Sequence, residues 1–239
     1  MDGRYAVRYH SPALTVSLSV ALTKRTRGYL PHWEAEGGTY SVTFHLGDSL
    51  PANVLAKLTR QREMIKAVLR SGRQLTPMES VRAHQLRRKE IEEYLDANHG
   101  ECMLRKAECA AIVAERLAFR DGNDYELFAW VVMPNHVHAL FQPETGHDLA
   151  EILGAWKSVS TRLINKVWDR RGSVWQREYY DHLIRDEAEF THAVEYILEI
   201  ARGAGLRGWP WVGHRARRRG RRRYGRRFFF WSDDGLSGR

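Results

Sequence analysis

Two histidines spaced two residues apart form the most informative motif of this chain. They lie in the segment MPNHVHALF, residues 133–141, where a Pro-Asn turn leads into an apolar run. Side chains alternate between the two faces of a strand, so His136 and His138 are expected on one face. Two neutral imidazoles side by side can hold a divalent cation. Alone the pair is a weak signal, because histidines that only pack at the end of a strand have the same pattern.

The elements that position this pair follow from apolar periodicity and turn residues. The apolar run at 125–133 and the histidine segment predict an antiparallel β-hairpin joined by Pro134-Asn135. Residues 51–97 have helical spacing with a break at Ser71-Gly72, which predicts an inserted helical hairpin. The remaining predicted elements are strands at 38–46 and 179–184 and helices at 106–119, 148–169 and 186–199.

This order of elements predicts an α+β fold. Strand, helices, strand, strand, helix, strand, helix fits a ferredoxin-like (split βαβ) antiparallel sheet with helices on one face. We therefore predict three regions: an irregular N-terminal extension at 1–28, a main domain at 29–202 that carries the helical hairpin, and an Arg-rich, disordered tail at 203–239.

The charge of the chain favours a polyanionic partner. Its formal net charge is +9, and residues 214–227 hold nine arginines and no acid, so the rest of the chain is about neutral. Two cysteines without a CxxC motif fit a reducing compartment, and no stretch is long and apolar enough to span a membrane. We expect a cytoplasmic, nucleoid-associated protein with no membrane partner.

Several motifs, in order along the chain, resemble those of the HUH single-tyrosine transposases. The closest resemblance is to the branch called REP-associated tyrosine transposases, which carry an IS200-like transposase domain. The similarity runs from about Leu30 to about Arg202, most of the chain. Its motifs are Leu30–Trp33, Thr39–Phe44, Leu127–Phe141, Trp156–Ser158, Trp175–Asp186 and Glu195–Glu199.

The resemblance implies a metal-dependent DNA strand-transferase with Tyr196 as the nucleophile. In that family, tyrosine attacks single-stranded DNA, forms a 5′-phosphotyrosine link and frees a 3′-OH. The implied cofactor is a divalent metal ion, Mg or Mn, on His136 and His138, where it would act as a Lewis acid on the phosphate. Tyr179 and Tyr180 are rival nucleophiles, and a core tyrosine is the alternative for Tyr196.

The chain departs from the family pattern one helical turn after the tyrosine. The family places a polar metal ligand four residues after it, whereas this chain has Ile200, which cannot bind a cation. Glu199 lies about 100° around the helix, and His192 lies one turn earlier on the same face as Tyr196. Glu199 and His192 are therefore the candidate third ligands, and the departure leaves catalytic activity in doubt.

Basic and aromatic side chains outside this centre are candidate DNA contacts. Lys157 and Arg162 could bind phosphates, or could be solvated helix charges. Trp175 could stack on unpaired bases beside hydrogen-bonding groups, or could begin an ordinary hydrophobic strand. The further candidates are Gln176, Arg177, Arg217, Arg218 and Arg219; for the tail arginines the alternative is a segment of no consequence or a shifted reading frame.

The sequence thus predicts a metal-dependent transposase or endonuclease that cuts and rejoins single-stranded or hairpin DNA, as a monomer or homodimer. Two alternatives stay open. One is a catalytically decayed DNA-binding remnant of a transposase, which Ile200 favours. The other is a metal-dependent nuclease that uses water instead of tyrosine.

Overall fold

The structure is a computed structural model that describes residues 23–27, 30–35, 37–71, 91–215, 229–232 and 235–238. The strands are β1 (Thr23–Arg27), β2 (Leu30–Glu34), β3 (Tyr40–His45), β4 (Tyr125–Val132), β5 (His136–Pro143), β6 (Tyr180–Leu183), β7 (Val212–His214), β8 (Phe229–Ser232) and β9 (Gly235–Gly238). The helices are α1 (Ala52–Arg70), α2 (91–96), a 3-10 turn (Met103–Arg105), α3 (Ala107–Phe119), α4 (Leu149–Val167) and α5 (Glu187–Gly203).

One antiparallel sheet organises the fold, with strand order β6-β3-β5-β4-β7-β8-β9. Its first four strands are joined as β3–α3–β4–β5–α4–β6, which is the predicted split βαβ arrangement. Strands β4 and β5 form the predicted hairpin, closed at Pro134-Asn135 by the Met133 N–H, which donates to the His136 carbonyl (2.8 Å). The α+β class and the antiparallel sheet are confirmed.

The two faces of this sheet carry different helices. Helices α3 and α4 cover one face and bury Val137, Ala139 and Phe141 of β5 with Trp156 of α4. Helix α5 covers the opposite face, where it packs on residues such as Leu140. The prediction that helices lie on one face therefore holds for the two crossover helices and is wrong for α5. Because side chains alternate along β5, His136 and His138 lie on the same face as Leu140, the face that α5 covers.

The tail predicted to be disordered contributes a strand to the sheet. Strand β7 pairs with β4, and the Trp209 indole N–H donates to the Val132 carbonyl at 2.7 Å. Gly213 is needed there, because an added Cβ would lie 2.6 Å from the Trp130 ring. Strands β8 and β9 continue this edge. The Arg-rich composition of the tail concealed these apolar anchors, while Arg217, Arg218 and Arg219 lie outside the described residues.

The N-terminal region also differs from its prediction. Strand β1, within the segment expected to be irregular, pairs with β2 in a separate two-stranded sheet. Of the predicted helical hairpin, the structure describes α1 and α2, and residues 72–90 between them lie outside the described part. Among the helices that are described, none has both the length and the apolar content that a membrane crossing requires.

Candidate active site

His136 and His138 begin β5 and are almost completely excluded from solvent. Their Nε2 atoms are 3.0 Å apart, and their ring planes are perpendicular with centroids separated by 4.7 Å. Both lie on the sheet face that carries α5, since the ring of Tyr196 contacts that of His138. The expected convergence of the two imidazoles on one face is confirmed. Their role as metal ligands stays a prediction.

Asn135 fixes the ring of His136. The Asn135 amide N–H donates to the His99 carbonyl at 3.1 Å, which turns the amide oxygen toward His136 Nδ1 at 2.7 Å. An amide oxygen only accepts, so Nδ1 of His136 carries the proton and Nε2 has a free lone pair. Pro134-Asn135 therefore closes the hairpin, and its amide leaves Nε2 as the nitrogen through which His136 would bind a cation.

Thr43 holds the second ring from the neighbouring strand. It lies opposite His138 in the β3–β5 register, and its hydroxyl is 2.8 Å from His138 Nδ1. Two lone pairs that face each other at 3.0 Å repel unless a proton or a cation lies between them. The Thr43 hydroxyl can donate or accept, so it permits both tautomers of His138. The 3.0 Å separation of the two Nε2 atoms suits a cation bound by both rings.

A carboxylate from the inserted region is the third polar group at this point. Asp96, at the end of α2, places its Oδ1 atom 3.8 Å from His136 Nε2. One potential ligand atom from each of Asp96, His136 and His138 lies within 4.8 Å of the other two. Oδ1 is buried and has no hydrogen-bond partner among the described residues, a costly state that a bound cation would relieve. This donor set suits a divalent cation.

Burial controls the charge of these groups. It lowers the pKa of His136 well below its usual range, and the neighbouring His138 and His45 lower it further. It also raises the pKa of Asp96 to about 6, with a contribution from Glu92. At neutral pH the imidazole is therefore uncharged, the form that binds metals, while the carboxylate is mostly ionised.

A third buried histidine lies beside this group, and the sequence did not single it out. His45 is the cross-strand partner of His136, and its Nδ1 is 2.7 Å from the Ser49 hydroxyl. Its ring stacks on Tyr180 with centroids 6.3 Å apart, and burial lowers its pKa to about 4. Strand alternation was the available signal, since residues 43 and 45 share a face.

Of the three candidate nucleophiles, Tyr196 lies against the histidine pair. Its ring is edge-on to His138, with centroids 5.4 Å apart, and its side chain is only partly buried. Tyr180 is buried on His45, and Tyr179 packs into the core on the opposite face. The arrangement brings a phenol and two imidazoles to one place, a combination that can attack a phosphodiester when a metal ion is bound.

The candidate third ligands on α5 are not part of the converging group. Glu199 is exposed and pairs with Arg202 at 2.6 Å, and His192 is exposed as well. Ile200 is 8% exposed and packs in the core between α5 and the sheet. The expectation that Glu199 or His192 completes the site is therefore wrong for this conformation. An asparagine at position 200 would bury an amide among apolar groups, which is costly.

Asp96 was missed because it lies far from the histidines in sequence. It stands in a polar turn, Asp96-Ala97-Asn98-His99-Gly100, that reads only as the end of a helix. The density of polar side chains in this turn was the signal available. Only the tertiary fold places the Asp96 carboxylate against His136.

The predicted DNA contacts divide into exposed and buried side chains. Trp175 is 3% exposed, and its indole N–H donates to the Ser160 hydroxyl at 2.8 Å. It is a core residue, so its prediction as a base-stacking platform is wrong. Lys157 donates to the Arg177 carbonyl at 2.7 Å, and burial lowers its pKa to about 8. Arg162 and Arg177 are exposed and Gln176 is partly exposed, so their role stays a prediction.

Comparison with known proteins supports the resemblance seen in the motifs. Residues 106–199 match the family model described as Transposase IS200 like. A REP-associated tyrosine transposase of Escherichia coli K12 is 27% identical over 73 residues, which cover 30% of this chain and 42% of that protein. A Haemophilus influenzae relative, whose name assigns it provisionally to the same group, is 30% identical over 83 residues, 30% of this chain and 47% of that protein.

The chain spans less than half the length of these curated relatives. A solved structure of a REP-associated tyrosine transposase bound to a REP hairpin shares 18% identity, with a TM-score of 0.44 over 80% of this chain and 82% of that one. Residues 106–199 thus have the sequence pattern of IS200-like transposases, and the resemblance to REP-associated tyrosine transposases is confirmed. The matched region contains His136, His138 and Tyr196, whereas Thr43 and Asp96 precede it.

Proposed function

We propose that this chain is a metal-dependent transposase or endonuclease that cuts and rejoins single-stranded or hairpin DNA through Tyr196. The observation that carries the proposal is the contact of the Tyr196 ring with His138, whose Nε2 lies 3.0 Å from that of His136. Nucleophile and candidate metal ligands thus meet on one sheet face. The family match over residues 106–199 supports the transposase class.

The proposed reaction exchanges one phosphodiester linkage for another. The phenolic oxygen of Tyr196 attacks the phosphorus, its proton passes to water, and the bond from phosphorus to the 3′ oxygen breaks. The 3′ oxygen takes up a proton and leaves as a 3′-OH, while the 5′ phosphate stays linked to the tyrosine. Attack by a 3′-OH on this linkage restores a DNA strand and the free phenol, so rejoining needs no ATP.

The residues around Tyr196 position the reacting groups. His136 and His138 would hold the divalent ion, Mg or Mn, which supplies positive charge to a non-bridging phosphate oxygen. Asn135 and Thr43 hold the two rings by hydrogen bonds to their Nδ1 atoms. Exposed Arg162 and Arg177 are available to bind neighbouring phosphates. Such a protein would act in the cytoplasm at the nucleoid, as a monomer or homodimer.

A covalent-adduct experiment tests the proposal. The purified chain is incubated with Mn²⁺ and end-labelled single-stranded DNA that contains a hairpin, and products are separated under denaturing conditions. We expect Tyr196→Phe to lose the protein–DNA adduct and to keep DNA binding, because only the attacking oxygen is removed. Tyr179→Phe and Tyr180→Phe serve as matched controls and are expected to form the adduct.

Each alternative function predicts a different result of this experiment. An adduct that persists in Tyr196→Phe shows that another residue is the nucleophile. Cleavage without an adduct in the parent protein identifies a metal-dependent nuclease that uses water. DNA binding with neither cleavage nor adduct identifies a decayed DNA-binding remnant.

A further inference from the structure

The end of α2 and the turn after it act on His136 from two sides, once directly and once through Asn135. On one side, the Asp96 carboxylate lies 3.8 Å from His136 Nε2. On the other side, the His99 carbonyl accepts the hydrogen bond that orients Asn135, and Asn135 holds His136 Nδ1. One short segment at the end of α2 therefore sets both the orientation of the ring and the group that its free nitrogen faces.

Packing holds this segment in place. Ile91 and Leu95 of α2 are at most 1% exposed and pack with Leu50 and Tyr180. The chain then turns at Gly100, which has a φ of +89° and lies so close to Asp48 that a Cβ would be 2.7 Å from its carbonyl oxygen. Asp96 directly follows the buried Leu95, so the packing of α2 on Leu50 and Tyr180 fixes the backbone from which its carboxylate extends.

Helix α5 offers no comparable group. The residue one turn after Tyr196 is the buried Ile200, and Glu199 is exposed and engaged with Arg202. Within the described part of the chain, Asp96, His136 and His138 are the group of three that could share a cation. The Oδ1 atom of Asp96 is buried and has no hydrogen-bond partner among those residues. A carboxylate in that situation is stabilised by a cation.

We propose that Asp96 is the third protein ligand of the divalent cation held by His136 and His138. The ion would then be bound between the sheet and the inserted helix instead of between the sheet and the tyrosine helix. This inference rests on the proposed function. An ion that joins two elements also stabilises their docking, so metal binding and the packing of α2 are linked.

Two readouts that do not depend on DNA cleavage test this assignment. Mn²⁺ affinity is measured by calorimetry, and amide hydrogen exchange of residues 91–96 is measured with and without Mn²⁺. We expect Asp96→Asn to raise the Kd for Mn²⁺ at least about tenfold, since even groups behind the ligands commonly contribute that much. We also expect it to remove the Mn²⁺-dependent slowing of exchange in α2.

Glu93→Gln is the matched control, because it removes an exposed carboxylate from the same helix. It is expected to bind Mn²⁺ as the parent does and to keep the slowed exchange. Circular dichroism fixes a temperature at which every variant is folded without metal, and all affinities are measured there.

The outcomes separate this inference from the proposed function. Parent-like Mn²⁺ affinity in Asp96→Asn, together with loss of binding in His136→Ala, overturns Asp96 as a ligand and leaves the histidine site and Tyr196 intact. Parent-like affinity in both variants overturns the metal centre itself, and with it the metal dependence of the proposed function.

Discussion

The Thr43 hydroxyl holds the ring of His138 in either of its two neutral tautomers. The hydroxyl is 2.8 Å from His138 Nδ1, and both side chains are almost completely buried. When Nδ1 of His138 carries the proton, the Thr43 hydroxyl accepts its hydrogen bond, and the lone pair on Nε2 points at the Nε2 of His136. When Nε2 carries the proton, Thr43 donates instead and Nε2 is blocked. A single rotatable hydroxyl thus supports both states of the ring.

Removing this hydroxyl is expected to weaken metal binding. Thr43→Val keeps the volume and leaves His138 Nδ1 without its partner, so we expect about a tenfold higher Kd for Mn²⁺. The free energy of unfolding should fall by about 1–3 kcal/mol, the cost of an unpaired buried polar group. Calorimetric titration and urea denaturation measure the two effects. Thr43→Ser is the control that keeps the hydroxyl, and equal Kd values for Val and Ser would show that the hydroxyl does not orient the ring.

The start of α5 fixes the helix that carries Tyr196. Asp186 caps it by accepting from the Glu189 N–H at 2.8 Å, and Glu189 accepts from the Arg185 backbone N–H at 2.8 Å and from its guanidinium. Partial burial raises the pKa of Glu189, but the hydrogen bonds from Arg185 outweigh it and lower the pKa to about 2. This carboxylate therefore stabilises the fold only in its ionised form.

The contribution of Glu189 to the free energy of unfolding is expected to rise with pH. A pKa that is lower in the folded protein than in the unfolded chain gives stability that is present above the unfolded chain's pKa of 4.5. That stability is lost as the pH falls toward the folded pKa of about 2. Glu189→Gln should lower the free energy of unfolding at pH 6, by no more than about 2 kcal/mol because Arg185 is largely exposed. Urea denaturation at pH 6 and at pH 3 measures the difference, which should shrink at pH 3.

Glu195→Gln removes an exposed carboxylate from the same helix and serves as the control. A pH-independent difference between Glu189→Gln and the parent would assign the effect to packing instead of charge.

The elements that the sequence predicted are those with local signals. Helices α3 and α4 have an apolar stripe, and the hairpin of β4 and β5 has a Pro-Asn turn between two apolar runs, so their bounds were predicted to within a few residues. Tyr196 and the histidines were found through the family motif that surrounds them. Strand β7 was missed because its place depends on a tertiary contact, the Trp209 hydrogen bond to Val132.

Asp96 and Ile200 show why the proposed third ligand could not be predicted in the same way. Periodicity places residue 200 on the face of Tyr196, but only packing shows that this position is core. The carboxylate that faces His136 comes from the insertion that follows β3. The pairing of β3 with β5 places the end of β3 opposite His136. Sequence spacing within α5 carries no information about that contact.

The whole molecule is basic mainly because of its C-terminal region. The chain has a formal net charge of +9, and nine arginines lie within residues 214–227. Arg215 is the member of this run that the structure describes, and it forms an ion pair with Asp121. Strand β7 joins β4 in the sheet that carries the histidines, so the arginines that follow it are attached to the sheet of the proposed site.

We expect Arg217, Arg218 and Arg219 to contribute non-specific affinity for DNA. Replacing all three by Gln keeps β7 and should weaken binding about equally for hairpins of different sequence, because phosphates carry no sequence information. Each phosphate that is no longer neutralised should reduce the slope of log Kd against log salt by about 0.7 on single-stranded DNA. Fluorescence anisotropy at several salt concentrations measures the slope.

Arg202→Gln is the control for charge alone, since this exposed arginine is already paired with Glu199. If each of the three arginines neutralises one phosphate, the triple variant should have a slope lower by about 2, whereas the control should leave the slope nearly unchanged. The proposed adduct through Tyr196 should still appear at low salt, because the substituted arginines would supply binding energy rather than chemistry. A triple variant with the parent slope would show that these arginines do not reach the DNA, and the affinity would then have to come from groups such as Arg162 and Arg177 near the site.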